Sequence, residues 1–116
     1  MELEKLMIYK QYIQLIYYTE NILKKYPKFE RYGIVTHIRN NTYEGMKYII
    51  LCYKENDKKY KLSYLRKLDA DLKMLCILIR ISKMNKYISN NNFIAWIKKI
   101  TNITNLMVGW YKCAKA

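Results

Sequence analysis

The sequence predicts an all-α protein, folded as an antiparallel up-down four-helix bundle in a single domain over residues 1–116. The chain has 3 glycines and 1 proline, too few for a β-sandwich or β-barrel, which needs a turn about every 8–12 residues. Its apolar residues recur at spacings of three and four, which is typical of helices with one buried face. Short connections between long helical segments predict antiparallel neighbours.

The first two helices are predicted over Glu2 to Lys25 and over Arg31 to Tyr53. Pro27 ends the first one, because proline also pushes the preceding residue towards an extended conformation. The second helix carries a regularly spaced series of core candidates. These are Ile34, Ile38, Thr42, Met46, Ile49 and Cys52.

The third helix, predicted over Lys58 to Lys86, has the clearest pattern in the chain. Its core candidates alternate in steps of three and four, which keeps one seam facing a partner helix. They are Leu65, Leu68, Leu72, Leu75, Ile79 and Ser82. Asn56 or Asp57 can cap this helix, and Ser89 can cap the fourth, which is predicted over Asn90 to Val108.

A second series on the third helix consists of cations that follow one another at intervals of seven residues. Seven residues return almost to the starting azimuth, with a drift of about 20°, and the cations stand about 10.5 Å apart. This basic ridge comprises Lys59, Arg66, Lys73 and Arg80. We expect it to bind phosphates without reading bases, and we assign Arg39 and Lys83 to the same nucleic-acid-binding set.

The net charge of +13 favours a polyanionic partner. Residues 1–57 hold 9 cations and 7 anions, whereas residues 58–116 hold 13 cations and 2 anions. Such a lopsided charge attracts nucleic acid first and an anionic membrane surface second.

The fourth helix is apolar over roughly 240° of its circumference, where about 100° suffices for one core contact. Apolar residues also surround the C-terminal half of the third helix. Both observations predict an oligomer in which these helices lie against neighbouring subunits. We assign the subunit interface to Trp96, Ile103, Ile77, Ile81 and Trp110.

Several classes of protein are disfavoured. No apolar run approaches the length of about 18 residues that spans a bilayer, and acidic residues before the first apolar cluster argue against a secretory signal. Cys52, Cys76 and Cys113 are an odd number at unrelated spacings, which favours reduced thiols and a cytoplasmic location.

The sequence offers little for catalysis. His37 is the only histidine, and no cysteine lies at metal-ligand spacing from it. Asp69 and Asp71 stand two apart on a helix and point to different sides, so they cannot act as a catalytic pair. We expect Asp69 to form a surface ion pair, and we expect no enzyme activity, cofactor or metal.

Short strings of residues along the chain also match a known pattern in order. They are Tyr26-Pro27-Lys28, Phe29-Glu30-Arg31-Tyr32, His37-Ile38-Arg39, Leu68-Asp69, Ile79-Arg80-Ile81-Ser82, Tyr87-Ile88-Ser89 and Gly109-Trp110. Taken together, over about residues 5–112, they resemble the accessory variability determinant family of diversity-generating retroelements. That family reads FPK-x-x-[RK]-[FY], IR, LD, LRLA, IS and GGW at matching intervals.

The resemblance implies a four-helix protomer that assembles as a homopentameric barrel with a basic outer surface. It further implies a non-catalytic accessory protein that binds the reverse transcriptase of the retroelement and its template RNA or cDNA during mutagenic retrohoming. Two alternatives stay open. One is a nucleic-acid-binding bundle of the type encoded in intervening sequences of 23S ribosomal RNA genes, without a polymerase partner. The other is a helical scaffold whose charge only keeps it in solution.

Overall fold

The protein is all-α in its computed structural model, which describes residues 2–3 and 6–116. This part of the chain contains four α-helices, with a short 3-10 helix between the first two, and no strand. The helices are α1 (Met7–Leu23), α2 (Ile34–Lys54), α3 (Lys58–Met84) and α4 (Asn90–Lys115), with the 3-10 turn at Lys28–Glu30. The predicted all-α class with four helices is therefore confirmed.

The four helices pack in a ring, α1 against α2, α2 against α3, α3 against α4, and α4 back against α1. Contacts between neighbours run in opposite order along the two helices: Tyr12 bonds to Thr42, whereas Glu20, further along α1, pairs with Arg39, earlier in α2. Helices α1 and α2 are therefore antiparallel, as predicted. Helices α3 and α4 are antiparallel too, since Arg66, early in α3, bonds to Tyr111, late in α4, whereas Lys83, late in α3, lies against Phe93, early in α4. The bundle measures 44 × 25 × 22 Å.

The core seams of α2 and α3 were predicted correctly. All six core candidates of α2 and all six of α3 are buried. They meet the buried stripes of α1 and α4 in one continuous cluster of apolar side chains. Burial of apolar surface contributes about 25 cal/mol of stabilising free energy for each Å² removed from water, and it is the main contribution to the stability of such a bundle.

Two caps also lie where the sequence placed them. The Asp57 carboxylate accepts a hydrogen bond from the Lys59 amide at 2.8 Å, at the start of α3. The Ser89 hydroxyl oxygen accepts one from the Asn92 amide at 3.0 Å, at the start of α4. Each bond satisfies an amide that would otherwise have no partner in the first turn of a helix.

Some helix boundaries differ from the prediction. Helix α1 begins at Met7 rather than at Glu2, and Met1, Glu4 and Lys5 lie outside the described residues. Helix α4 continues past Val108 to Lys115. The extension follows from tertiary contacts, since Trp110 and Tyr111 both pack against the bundle core. Gly109 lies within α4 and does not interrupt it.

Candidate nucleic-acid and subunit interfaces

The basic ridge lies on the outward side of α3, opposite the buried seam. Lys59, Arg66, Lys73 and Arg80 are all exposed to solvent. The helix is continuous over its 27 residues, so the rise of about 1.5 Å per residue spreads the four cations over about 30 Å. The regular geometry of one helix therefore holds them in a row.

Two members of the ridge have neighbours that hold the side chain in place. Lys73 Nζ lies 3.0 Å from Asp69 Oδ1, which confirms the surface ion pair expected for Asp69. Arg66 donates a hydrogen bond of 3.2 Å to the Tyr111 hydroxyl and lies 6.0 Å from the centre of that ring. An exposed ion pair at this spacing contributes only about 0.3–0.5 kcal/mol, so Lys73 remains able to turn towards a phosphate.

Arg39 and Lys83 do not extend the ridge. Arg39 lies on α2, and its guanidinium forms an ion pair of 2.8 Å with Glu20 of α1. Lys83 Nζ sits 4.3 Å from the centre of the Phe93 ring, between α3 and α4. Arg39 therefore lies on another part of the surface, whereas Lys83, three residues after Arg80 on α3, is turned towards α4.

A groove between α3 and α4 runs beside the ridge. It encloses a cavity of about 360 Å³ whose walls are both basic and apolar. Its lining residues are Lys73, Cys76, Ile77, Arg80, Ile97, Ile100, Thr101 and Thr104. Burial raises the pKa of the Cys76 thiol, although the nearby charges of Arg80 and Lys73 act in the opposite direction. The thiol is therefore less reactive than an ordinary exposed cysteine.

An apolar stripe on α3 lies next to the ridge and overlaps it in azimuth. Its members follow one another at spacings of three, four and three, and each exposes between 40% and 80% of its surface. They are Met74, Ile77, Ile81 and Met84. Ile77 and Ile81, which we assigned to a subunit interface, are therefore at the surface of the protomer. A contiguous exposed stripe of this kind is typical of an interaction site.

The assignment of Trp96 and Ile103 to a subunit interface is wrong, because both side chains are 0% exposed within a single protomer. Trp96 Nε1 donates a hydrogen bond of 3.0 Å to the Thr19 hydroxyl of α1. The wide apolar arc of α4 is explained by its position between two neighbours, α1 and α3. An arc of about 100° serves one contact, whereas α4 makes two.

Trp110 occupies an intermediate position. It is half-buried and lies beside Leu6, Met7 and Ile8 at the start of α1. Lys61 Nζ stands 5.8 Å from the centre of its ring. Part of the indole surface is thus used inside the protomer, where it holds the last turns of α4 against α1.

Asp71 was not recognised from the sequence as a core residue. Its side chain is 8% exposed, and its Oδ2 atom is buried without a hydrogen-bond partner. Burial, followed by a hydrogen bond with Glu44 and the charge of Glu44, raises the pKa of Asp71 to about 7. The available signal was its position three residues after Leu68 and four before Leu75, both of which belong to the seam.

No three His, Cys, Asp or Glu side chains in residues 2–3 and 6–116 come together in a way that could hold a metal ion. None of the helices in that part of the chain is long and apolar enough to cross a membrane.

The fold and surface define a basic four-helix-bundle protein with a cationic ridge and an adjacent apolar stripe on one helix. A family model described as bAvd-like matches residues 6–114. The chain therefore belongs to the bAvd-like family, which confirms the resemblance to the accessory variability determinant proteins. A comparison with curated proteins finds no match.

Proposed function

We propose that this protein is a non-catalytic accessory protein of a diversity-generating retroelement, which binds template RNA or cDNA and the reverse transcriptase. The family membership supports the retroelement role. The observation that carries the nucleic-acid role is the row of exposed cations on α3, Lys59, Arg66, Lys73 and Arg80. The protein would reside in the cytoplasm with its partners.

The ridge binds the phosphate backbone and does not read sequence. Four separate cations on one helix present positive charge at regular intervals, but they offer no pattern of donors and acceptors that would distinguish one base from another. Each phosphate contact releases a condensed counterion, which makes the affinity fall with rising salt concentration. The accessory protein would thus bind the template RNA and the cDNA alike.

Assembly multiplies this surface. The apolar stripe of α3 would contact a second subunit, and the family resemblance makes five copies the number we propose. Lys73 and Arg80 line the same groove as Ile77 of the stripe. A contact along the stripe would therefore bring cations of neighbouring subunits close together. Five copies of the ridge on one particle would bind a polyanion with much higher avidity than one copy.

Substitution of Arg66 and Lys73 by glutamine tests the ridge. We expect the double variant to bind single-stranded and double-stranded DNA more weakly, because two phosphate contacts are lost. The slope of log affinity against log salt should become shallower by about 1.4 for single strands and about 1.8 for duplex. Fluorescence anisotropy with labelled oligonucleotides over a series of salt concentrations measures both quantities.

Lys10→Gln together with Lys47→Gln is the matched control, since it removes two exposed cations from α1 and α2 without touching the ridge. An equal change of slope in the two double variants would show that the ridge has no special role. The reverse-transcriptase role has its own assay, which is co-purification of the retroelement polymerase with the tagged wild-type protein. Absence of the polymerase from the purified material would contradict that part of the proposal.

A further inference from the structure

One end of the bundle is built from two connections that hold each other in place. Tyr87, which follows α3, lies 5.5 Å from Tyr26 and 6.3 Å from Phe29 between ring centres. The Tyr87 hydroxyl donates a hydrogen bond of 2.7 Å to the Glu30 carboxylate. The connection between α1 and α2 and the connection between α3 and α4 therefore form one structured surface, which we name the loop-end surface.

The loop-end surface exposes large apolar side chains. Tyr32 is 88% exposed and Phe29 78%. Among the large apolar residues that the structure describes, the one comparable value is the 80% of Met84, which belongs to the apolar stripe of α3. Phe29 sits in the 3-10 turn directly after Pro27, and the backbone bond from the Glu30 amide to the Pro27 carbonyl is 3.0 Å long. The Phe29 ring is thus presented on a fixed backbone rather than on a loose loop.

Cations line the connection that carries Phe29 and Tyr32. Lys24, Lys28, Arg31 and Arg39 line a cavity of about 350 Å³ between the end of α1 and the start of α2. The carboxylate of Glu30 is already engaged, because it accepts hydrogen bonds from the Tyr87 hydroxyl and from the backbone at the start of α2. Arg39 is paired with Glu20, whereas Lys24, Lys28 and Arg31 form no ion pair with the residues that the structure describes. The charge of these three cations is therefore free to meet an anion.

Lys86 adds a cation at a place where its backbone is strained. Its φ angle is 61°, in the left-handed region, and it is the one non-glycine residue with positive φ among the described residues. The Tyr87 amide bonds to the Ser82 carbonyl at 2.9 Å across this position. Such a helix end is usually formed by glycine, which adopts this conformation without strain. A non-glycine residue in this conformation at the surface motivates the hypothesis that its side chain has a function.

We infer that the loop-end surface binds unpaired nucleotides of RNA or single-stranded DNA, with Phe29 and Tyr32 stacking on bases and Lys28, Arg31 and Lys86 contacting phosphates. Every base has a flat face, so exposed aromatic rings among cations bind single strands with little sequence preference. The bases of a duplex are stacked on one another and cannot reach these rings. This inference rests on the proposed nucleic-acid role, and it adds a second surface with a different mode of recognition.

Tyr32→Ala is the direct test, and Tyr17→Ala is its matched control. Tyr17 is another exposed tyrosine, 63% accessible, on the body of α1. We expect Tyr32→Ala to weaken binding of a labelled single-stranded 12-mer by about fivefold or more, which is the lower end of the effect of losing one stacked base. Binding of the matching 12-base-pair duplex should stay unchanged, and Tyr17→Ala should leave both affinities at the wild-type level.

Lys86→Gly separates binding from stability. We expect this variant to have a higher melting temperature than the wild type, because glycine removes the backbone strain. It should nevertheless bind the single strand more weakly, with a salt slope about 0.7 shallower. A residue with only a structural role would not move these two quantities in opposite directions.

Several results would overturn the inference. Equal affinities of the Tyr32→Ala and Tyr17→Ala variants for the single strand would rule out base stacking by Tyr32. An equal loss of affinity for the single strand and the duplex in Tyr32→Ala would rule it out as well. An unchanged affinity of Lys86→Gly for the single strand would rule out the proposed contact between Lys86 and a phosphate. If Tyr32→Ala instead lowers only co-purification of the polymerase, the loop-end surface is a protein-binding site. Failure of the wild type to bind any nucleic acid would refute the proposed nucleic-acid role itself.

Discussion

Replacement of Asp71 by asparagine should stabilise the protein at high pH and have little effect at low pH. The Asp71 carboxyl is 8% exposed and lies against Glu44 of α2. Its pKa is raised from 3.8 to about 7, first by burial and then by the hydrogen bond with Glu44 and by its charge. Asparagine has nearly the same shape as protonated aspartate but never acquires a charge.

The sign follows from proton binding. In the window between the two pKa values, the folded protein keeps a proton on Asp71 that the unfolded chain has released. Stability therefore falls as the pH rises through this window. A difference of one pKa unit corresponds to about 1.4 kcal/mol, so the window gives an upper limit of about 4 kcal/mol. Because Glu44 is exposed and water reaches its side of the pair, we expect about half of that value.

Urea unfolding followed by circular dichroism, at a series of pH values from about 4 to about 8, measures the effect as a difference between the variant and the wild type. The difference in free energy of unfolding should grow with pH in favour of Asp71→Asn. Asp69→Asn is the control, since Asp69 is the nearby carboxylate that pairs with Lys73 at the surface. A difference that does not vary with pH, or the same trend in the control, would refute the reasoning.

Two further predictions concern assembly and core packing. The double variant Ile77→Glu, Ile81→Glu should have the mass of one 14.2 kDa chain in light scattering and keep its helicity, because carboxylates on the apolar stripe oppose its burial. A wild-type protein with that same mass would contradict the assembly proposal. Gly45→Ala should destabilise the fold by about 1–3 kcal/mol in urea unfolding, because the added Cβ would overlap the Tyr12 hydroxyl and lie 2.8 Å from Tyr12 Cζ. Helix propensity alone predicts the opposite, a gain in stability of up to about 1 kcal/mol. A variant more stable than the wild type would therefore show that Tyr12 moves away without penalty.

The candidate site was predictable where it depends on one helix only. The row of Lys59, Arg66, Lys73 and Arg80 follows from the spacing along α3, and all four cations are exposed as a row on that helix requires. Arg39 and Lys83 could not be placed in this way. Their neighbours, Glu20 and Phe93, belong to other helices, and the sequence does not show which surfaces those helices share.

The loop-end surface illustrates the same limit. Its residues lie in two connections that are more than fifty positions apart in the sequence, and the bond between Tyr87 and Glu30 joins them only in the folded chain. The left-handed backbone of Lys86 was equally hidden, because lysine carries no sequence signal for that conformation. A glycine at this position would have predicted a left-handed residue at the helix end.

The sequence by itself determined the helices, their antiparallel order and the inward faces of α2 and α3, because these depend on local spacing and on short connections. The tertiary structure decided how many neighbours each helix has. Helix α4 lies between α1 and α3, so the apolar arc that indicated a subunit interface is used largely inside the protomer, with Trp96 and Ile103 at its centre. Periodicity shows how wide an apolar surface is, but only the packing of the whole chain shows what covers it.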